Sequence, residues 1–166
     1  ERHHTQLKFL DEQITCRKIL VEKPLFDSAY DLEIKHNEVF VGYNLRFHPI
    51  LEKIREVITN RKIWNIQVFC GSYLPDWRPG RDYRKTYSSR RNSGGGVLLD
   101  LSHELDYVQW LLGPLVVEYA ISEKMSDLDI DCEDLVLISG KANGETHFHI
   151  SLNYFSRNPL RQILLD

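Results

Sequence analysis

The sequence has few cysteines and no long apolar run. Its three cysteines, Cys16, Cys70 and Cys132, are widely spaced and form no C-x-x-C pair. An odd, scattered set is typical of reduced thiols in the cytosol rather than of a disulfide framework. No apolar stretch approaches the roughly 18 residues of a membrane span, and no secretory signal opens the chain. We therefore expect a cytoplasmic protein with no membrane contact.

The sequence also lacks an excess of positive charge. The formal net charge of -3 over 166 residues argues against a nucleic-acid partner, which would require a basic surface. Basic residues do cluster locally, in RPGRDYRK (78–85) and SSRRNS (88–93). Such clusters fit either a solvated loop or an anion-binding site. The apolar and charged fractions are those of an ordinary globular protein, and the length fits one domain or one domain plus a remnant of another.

The first half of the chain alternates helix and strand patterns. Apolar residues at helical spacing predict an amphipathic helix over Thr5–Gln13, and a short apolar run predicts a strand over 18–22. We expect a short helix over 27–36 with Asp27 as its N-cap, and a strand around 39–41. A clear amphipathic helix is predicted to begin at Pro49, which suits a first helical turn.

The second half is rich in strand patterns. Alternating apolar residues predict strands near 64–74, 116–124, 133–143, 145–156 and 160–166. Asn143-Gly144 stands between two of them and indicates a hairpin. One long helix is expected over 97–112, ended by Gly113. Sequential strands joined by hairpins and a helix predict an α+β domain with a mostly antiparallel, open sheet and helices on one face.

Polar residues follow the first strand directly, as Glu22-Lys23-Pro24. In open α/β sheets, ligands lie at the carboxyl ends of strands. Pro24 restricts the backbone of Lys23 and permits a cis bond, which would orient the lysine. The alternative is an exposed ion pair followed by a turn proline.

The long helix carries an acid and a histidine three residues apart. At about 100° per residue, Asp100 and His103 lie roughly 60° apart, with Tyr107 on the same stripe. A carboxylate can orient an imidazole, so the two form a candidate acid/base pair. Three glycines before the helix would let backbone or ligand approach closely. The alternative is a buried helix whose His103 bonds a backbone group; a zinc-protease motif is excluded because Tyr107 replaces the second histidine.

His147 and His149 alternate on a predicted strand and so share one face. They could bind a metal together with His103, which would indicate a hydrolase. No third ligand is evident nearby in the sequence, and a packed or half-exposed sheet face is the simpler interpretation. We expect no metal site.

Three motifs in order resemble one known family. EKP (22–24), GYNLRFHP (42–49) and GGGVLLDLSHELDYVQWLLG (94–113) are similar to motifs of the glucose–fructose oxidoreductase / inositol dehydrogenase / rhizopine-catabolism (Gfo/Idh/MocA) family. The resemblance implies a Rossmann domain that binds NAD or NADP, followed by an α+β domain. It also implies hydride transfer to or from a hydroxyl of a sugar, sugar nucleotide or cyclitol, and a homo-oligomer built through the open sheet.

The resemblance also assigns residues. It implies Lys23, Asp100 and His103 as catalytic, and Glu22, Lys23, Pro24 and Arg46 as cofactor-binding. His103 and Asn44 would contact substrate. Aromatic and arginine side chains in the loop from Tyr73 to Tyr87 suit sugar rings and a diphosphate, which adds the candidate substrate-binding residues Trp77, Arg78, Arg81 and Tyr83, with Arg84 as a further candidate for the diphosphate.

Two features depart from the family pattern. Asp100 and His103 are three residues apart where many members have four, which makes His103 the safer assignment. No G-x-G-x-x-G occurs in the chain. We therefore expect a fragment, with a Rossmann remnant at 1–24 and a substrate-binding domain at 25–166 that is truncated at its C-terminus. The alternative to an enzyme is a non-catalytic binding or oligomerisation domain, and the fragment alone is expected to be inactive.

Overall fold

A computed structural model describes residues 3–166 of the chain. The chain divides into two compact units, Glu1–Asn44 and Leu45–Asp166. None of the helices in the described residues is long and apolar enough to cross a membrane. Cys16, Cys70 and Cys132 are free thiols, of which Cys16 is exposed and the other two are buried.

The first unit contains one helix and two parallel strands. Helix α1 (His3–Gln13) covers the predicted helix, and strands β1 (Lys18–Val21) and β2 (Glu38–Val41) pair from Lys18↔Glu38 to Val21↔Val41. Parallel strands need a crossover connection, which is usually a helix.

The crossover of residues 22–37 contains no helix, so the prediction of a helix over 27–36 was wrong. Leu32 and Ile34 are half-buried and their neighbours exposed, an alternation of period two that suits extended backbone. The buried Asp11 carboxylate also holds the end of the loop. It accepts hydrogen bonds from the amides of Lys35 (2.8 Å) and His36 (3.2 Å).

The second unit is built on a five-stranded sheet. Its strands are β3 (Asn65–Gly71), β4 (Leu115–Glu123), β5 (Leu135–Ala142), β6 (Thr146–Asn153) and β7 (Leu160–Leu165). Their order is β4-β5-β6-β3-β7, and only β3 and β6 run parallel. The prediction of an α+β domain with a mostly antiparallel sheet is therefore confirmed.

Helices cover one face of this sheet. Helix α2 (Pro49–Ile58) begins at the predicted proline. Side chains of β3 and β6 that point toward the helices are buried, including Ile66, Phe148 and Leu152, and they form one core with Val108. On the opposite face, Gln67, His147 and His149 are exposed. The sheet thus has one packed and one open face.

The β5–β6 hairpin turns at Asn143 and Gly144, as the Asn-Gly pair predicts. Their φ angles are +48° and +78°. Positive φ at both central residues is the geometry for which this residue pair is favoured in hairpins.

The long helix expected over 97–112 is in fact two helices, so that prediction was wrong in part. Helix α3 spans Val97–Asp100 and helix α4 spans His103–Leu112. Leu101 leaves helical geometry, with φ −100° and ψ 27°, and separates them. Helix α4 ends at Gly113, whose φ of +92° suits glycine, as predicted.

Candidate functional site

The polar end of the first unit lies where β1 and β2 both end. Glu22, Lys23 and Pro24 follow β1, and the segment 42–44 follows β2, whose Gly42 amide donates to the Val21 carbonyl (2.8 Å). The Lys23–Pro24 bond is cis. Because the strands are parallel, the half-buried Lys23 and the exposed Asn44 lie at the same sheet edge.

The glycine triplet before α3 packs against the chain itself. A Cβ on Gly95 would lie 2.2 Å from the Tyr87 carbonyl oxygen, and one on Gly96 would lie 2.1 Å from the Glu133 carboxylate. Gly96 also has a φ of +122°, which side chains rarely adopt. The space beside these glycines, in which backbone or a ligand was expected, is therefore filled by the protein's own backbone and by Glu133.

Asp100 ends α3 and is buried, with 8% of its surface exposed. The Tyr154 hydroxyl donates a hydrogen bond of 2.6 Å to its Oδ2 atom. Tyr154 follows β6 and is fully buried. Burial, with the adjacent Asp100 charge, raises the pKa of Tyr154 far above its usual range, so this phenol stays a donor. Sequence reasoning missed Tyr154, since nothing local marks a tyrosine 54 residues away as a partner of Asp100.

His103 opens α4 and is half-buried. The sequence argument placed His103 beside Asp100 by assuming one continuous helix, and the break at Leu101 removes that assumption. The pairing of the two side chains therefore stays a prediction. Tyr107 was expected on the same stripe as His103. Tyr107 lies four residues after His103 in the same helix, so the two share a face of α4, and Tyr107 is fully buried in the core.

The loop after β3 reaches the surroundings of Asp100. The Trp77 indole N–H donates to the Ser72 hydroxyl (2.7 Å), and the indole meets the Tyr154 ring edge-on at 5.2 Å. The Arg78 guanidinium lies 5.3 Å from the centre of the Tyr87 ring. Burial and the nearby negative charge of Asp100 raise the pKa of Tyr87. Trp77 and Arg78 therefore belong to the same neighbourhood as Asp100.

Four predicted substrate-binding residues line one crevice of the loop: Trp77, Arg78, Arg81 and Tyr83. Its volume is about 10 Å³, which is no more than a water molecule occupies. The Tyr83 hydroxyl accepts a hydrogen bond from the Asp129 amide (3.0 Å). The structure brings the four residues together, but a sugar would need the crevice to widen.

The arginines of this loop differ in their pairing. Arg84 forms a two-pronged ion pair with Asp82, at 2.8 and 2.9 Å. Arg90 and Arg91 lie beside Asp131. Within residues 3–166, Arg78 and Arg81 have no carboxylate within ion-pair distance. These two arginines are the candidates left for an anionic ligand.

Arg46 is bound to helix α4. Its guanidinium forms two hydrogen bonds with the Asp106 carboxylate, at 2.8 and 2.5 Å. Asp106 stands three residues after His103, on a neighbouring part of the helix surface. The role of Arg46 as a cofactor contact stays a prediction, and the observed pair fixes α4.

A second acid of α4 is buried and was missed from the sequence. Glu104 is fully buried and accepts a 2.6 Å hydrogen bond from Arg161 on β7. Burial and the Glu104 charge also raise the pKa of the neighbouring Cys70 thiol to about 12. No local pattern pairs Glu104 with Arg161, which lies 57 positions away. The one available signal was the position of Glu104 itself, next to His103 on a half-buried helix.

His147 and His149 lie on the open face of the sheet, whereas α4 packs on the other face. The structure therefore does not bring them together with His103. Within residues 3–166, no three His, Cys, Asp or Glu side chains are grouped so as to hold a metal ion.

Comparisons with known proteins identify relatives of this chain. A family described as "GFO/IDH/MocA C-terminal domain" matches residues 51–164. YteT of Bacillus subtilis (strain 168), whose name classes it with the oxidoreductases, is 30% identical over 103 residues. The oxidoreductase sll0816 of Synechocystis sp. (strain PCC 6803) is 26% identical over 142 residues. These matches cover 57% and 74% of this chain.

The fold also matches solved structures. The WlbA dehydrogenase from Bordetella pertussis, crystallised with NADH and UDP-GlcNAcA, superposes with a TM-score of 0.77 over 98% of this chain at 16% identity. The matches span 24% of YteT, 38% of the Synechocystis protein and 52% of the WlbA chain. The present chain thus spans about half the length of this structure, and less of the two sequence relatives.

Proposed function

Because this chain belongs to the GFO/IDH/MocA family, we propose that it forms part of an NAD(P)-dependent oxidoreductase. The reaction would move a hydride between nicotinamide and a hydroxyl of a sugar, sugar nucleotide or cyclitol. Residues 1–24 would belong to the nucleotide-binding domain and residues 25–166 to the substrate-binding domain. The main support is the buried Asp100 carboxylate, which accepts a hydrogen bond from Tyr154. The half-buried His103, three residues after Asp100, begins helix α4.

We assign His103 as the general base that takes the proton of the substrate hydroxyl. Histidine side chains titrate near about 6.5, which suits proton exchange near neutral pH. Asp100 would orient the imidazole and stabilise its charged form. Lys23 would stabilise the alkoxide that develops as the proton leaves, because an ammonium is a fixed positive charge at this pH.

The fit of the cofactor to this chain is partial. The sequence contains no G-x-G-x-x-G, so these residues do not supply the backbone cradle for a pyrophosphate. Glu22, Lys23, Pro24 and Arg46 would contribute contacts at the reactive end of the site. The nicotinamide, when bound, supplies the carbon that exchanges hydride with the substrate.

A nucleotide sugar is the substrate class that we favour. Arg78 and Arg81 line one crevice with two aromatic side chains and have no carboxylate partner within residues 3–166. Paired guanidinium groups suit a diphosphate, and aromatic faces suit a sugar ring. The ligand in the WlbA structure, UDP-GlcNAcA, is itself a nucleotide sugar. Asn44, Trp77, Tyr83 and His103 would complete the substrate contacts.

The test is turnover of the whole protein with NAD or NADP and a panel of sugars, cyclitols and nucleotide sugars. We expect His103→Ala to lower kcat about a thousandfold, as loss of a general base typically does. His36→Ala is the matched control, since this exposed histidine lies in the crossover of the first unit and should leave kcat unchanged. Equal rates for both variants would remove His103 from the mechanism.

Substrate class is tested by a second variant. Arg81→Ala should raise KM for nucleotide sugars at least tenfold and leave KM for uncharged sugars within about twofold, since only a diphosphate uses the guanidinium. An equal rise for both kinds of substrate would contradict the nucleotide-sugar assignment.

We also propose that the open sheet face joins copies of this chain into a homo-oligomer. Tyr119, Leu137, Phe69 and Leu164 line a concave surface there with uncharged polar residues such as Gln67. The lining of this concave surface contains no aspartate, glutamate, lysine or arginine, so two copies can meet there with little like-charge repulsion, and interface cores are depleted of charge. Tyr119→Glu should shift the sedimenting species to monomer. A wild-type chain that is monomeric at high concentration would contradict the proposal.

The open face would also serve a non-catalytic oligomerisation domain, which is the second candidate function. Activity separates the two candidates, because only the oxidoreductase loses turnover in His103→Ala. A whole protein that oligomerises, binds no NAD(P) and turns over none of the panel would favour the non-catalytic alternative.

A further inference from the structure

Tyr154 holds the Asp100 carboxylate by a hydrogen bond, although it comes from the end of a strand distant in sequence. The hydroxyl lies 2.6 Å from Asp100 Oδ2. Hydrogen bonds to a charged acceptor are short and strong, and they gain strength where water is excluded. Both side chains are buried, at 0% and 8% exposure, so solvent does not compete for this bond.

The position of the Tyr154 phenol is fixed on several sides. Its backbone amide donates to the Asp134 carbonyl (3.0 Å), and its carbonyl accepts from the Leu74 amide (2.8 Å). The Trp77 indole packs edge-on against its ring, in the geometry that aromatic pairs prefer. Trp77 is held in turn by Ser72 through its indole N–H. The hydroxyl therefore has little freedom to follow a displaced carboxylate.

We propose that Tyr154 is a positioning residue that fixes the Asp100 carboxylate for its partner in catalysis, and that Trp77 positions Tyr154. This inference rests on the proposed function, because it assumes that Asp100 acts on His103. It also gives Trp77 a supporting role in addition to any contact with substrate. Neither residue needs to touch the reacting atoms to affect turnover.

The chain offers a matched control for the hydroxyl. Tyr107 is also fully buried in the same core, and within residues 3–166 its hydroxyl makes no hydrogen bond. Tyr154→Phe and Tyr107→Phe therefore remove the same atom from equally buried rings. A loss that reflects only the removal of a buried hydroxyl would be shared by the two variants.

In the whole protein we expect Tyr154→Phe to lower kcat about tenfold with KM within twofold, because orientation of the acid/base pair is lost while the binding contacts stay. Tyr107→Phe should stay within twofold of wild type. Trp77→Phe should lower kcat about threefold, whereas Trp110→Phe, which alters a tryptophan stacked on Arg55, should not. Equal kcat for Tyr154→Phe and Tyr107→Phe would overturn the proposal.

A double-mutant cycle separates positioning from packing. If the Tyr154 hydroxyl acts through Asp100, Tyr154→Phe should cost nothing further in an Asp100→Asn background. A full tenfold loss in that background would show that Tyr154 acts by another route.

A proton NMR measurement on the 166-residue chain distinguishes failure of this inference from failure of the proposed function. A buried hydroxyl proton that bonds a carboxylate at 2.6 Å should give a far-downfield, slowly exchanging resonance. It should persist in Tyr107→Phe and vanish in both Tyr154→Phe and Asp100→Asn. Its absence from the wild type would refute the hydrogen bond, whereas a whole protein that retains the resonance but turns over none of the panel would refute the proposed function.

Discussion

The two compact units of the chain bury very different amounts of apolar side chain. Within residues 3–44, Leu7 is the buried apolar residue, while Leu20 and Phe40 are 76% and 45% exposed. The unit of Leu45–Asp166 packs a continuous core under its sheet, in which Phe148 and Tyr154 are wholly buried. Hydrophobic burial is the dominant stabilising term. We infer that the second unit is the stable platform and that the first opens more readily.

Both units nevertheless contain a buried carboxylate that accepts several hydrogen bonds from a nearby loop. Asp11 in the first unit accepts hydrogen bonds from two backbone amides and from the Asn37 side chain. Asp134 in the second accepts them from the amides of Met125 and Ser126 and from the Ser126 hydroxyl. The two carboxylates thus have similar hydrogen bonds, whereas the apolar cores around them differ in size. Variants at the two acids therefore test how far the surrounding core determines the effect of a lost carboxylate.

The largest expected effect comes from emptying the core of the second unit. Phe148→Ala should lower the free energy of unfolding of that unit by about 3–5 kcal/mol, because it removes a fully buried ring and leaves a cavity. Phe40→Ala is the matched change in the first unit and should cost less than about 1 kcal/mol, since the ring is already half exposed. Urea unfolding of the 166-residue chain, followed by tryptophan fluorescence, measures the loss of stability in Phe148→Ala. Similar losses for the two variants would contradict the comparison.

Asp134→Asn should have the next largest effect, about 2–3 kcal/mol at pH 7, because charged hydrogen bonds are replaced by weaker ones in a buried site. Burial pushes the pKa of Asp134 upward, but the hydrogen bonds from Met125 and Ser126 outweigh it and hold that pKa below its usual range. A lowered folded-state pKa stabilises the fold above the unfolded value of about 3.9, and the contribution is lost as the pH falls through the folded value.

Unfolding measured between pH 7 and pH 2 checks this sign. Wild type should lose stability more steeply below about pH 4 than Asp134→Asn does. Asp127→Asn, an exposed acid of the same loop, is the control and should follow wild type. A variant that keeps the full acid dependence would show that other carboxyls cause it.

Asp11→Asn should open the first unit without unfolding the second. The hydrogen bond from the Lys35 amide is the main cause that lowers the pKa of Asp11, with Asn37 and His36 adding to it. Its contribution is therefore present above the unfolded value and lost on acidification, as for Asp134. We expect the Lys35 and His36 amides to exchange at least tenfold faster with deuterium in the variant, and β6 amides to be unchanged.

Glu12→Gln, at an exposed neighbouring position, should exchange like wild type. Faster exchange of β6 amides in Asp11→Asn would mean that the two units open as one, and the contrast between them would fail.

Local patterns predicted most of the fold, and long-range contacts decided the rest. Pro49 at a helix start, Asn143-Gly144 in a hairpin and alternating strands each depend on neighbours in sequence, so they could be predicted. The break at Leu101 could not, since no local signal marks it, and the Asp100 carboxylate beside it bonds Tyr154, 54 residues away. The helix predicted over 27–36 does not form, and there too a distant residue contributes: Asp11 of helix α1 accepts a hydrogen bond from the Lys35 amide.

The candidate site divides in the same way. Motifs located Lys23, Asp100 and His103, whose catalytic roles stay predictions. Sequence reasoning expected backbone or a ligand to approach the glycine triplet closely, and it could not show which: Gly95 and Gly96 are packed against the Tyr87 carbonyl and the Glu133 carboxylate. It also treated the loop arginines as equivalent. Arg84 is paired with Asp82 while Arg81 is not, and a charge count along the chain cannot show that difference.

The smallest expected effect concerns backbone strain in the first unit. Cys16 precedes β1 with a φ of +56°, and its amide donates to the His36 carbonyl (2.8 Å). A side chain in this left-handed region costs roughly 1–2 kcal/mol, whereas glycine adopts it freely but loses about 0.5–1 kcal/mol through greater freedom when unfolded. Cys16→Gly should therefore stabilise the first unit by about 0.5 kcal/mol, seen as slightly slower exchange of the Glu38 amide. Cys16→Ser keeps a side chain at the same φ and should show no gain; an equal gain in both variants would mean that the thiol, and not the backbone angle, destabilises this turn.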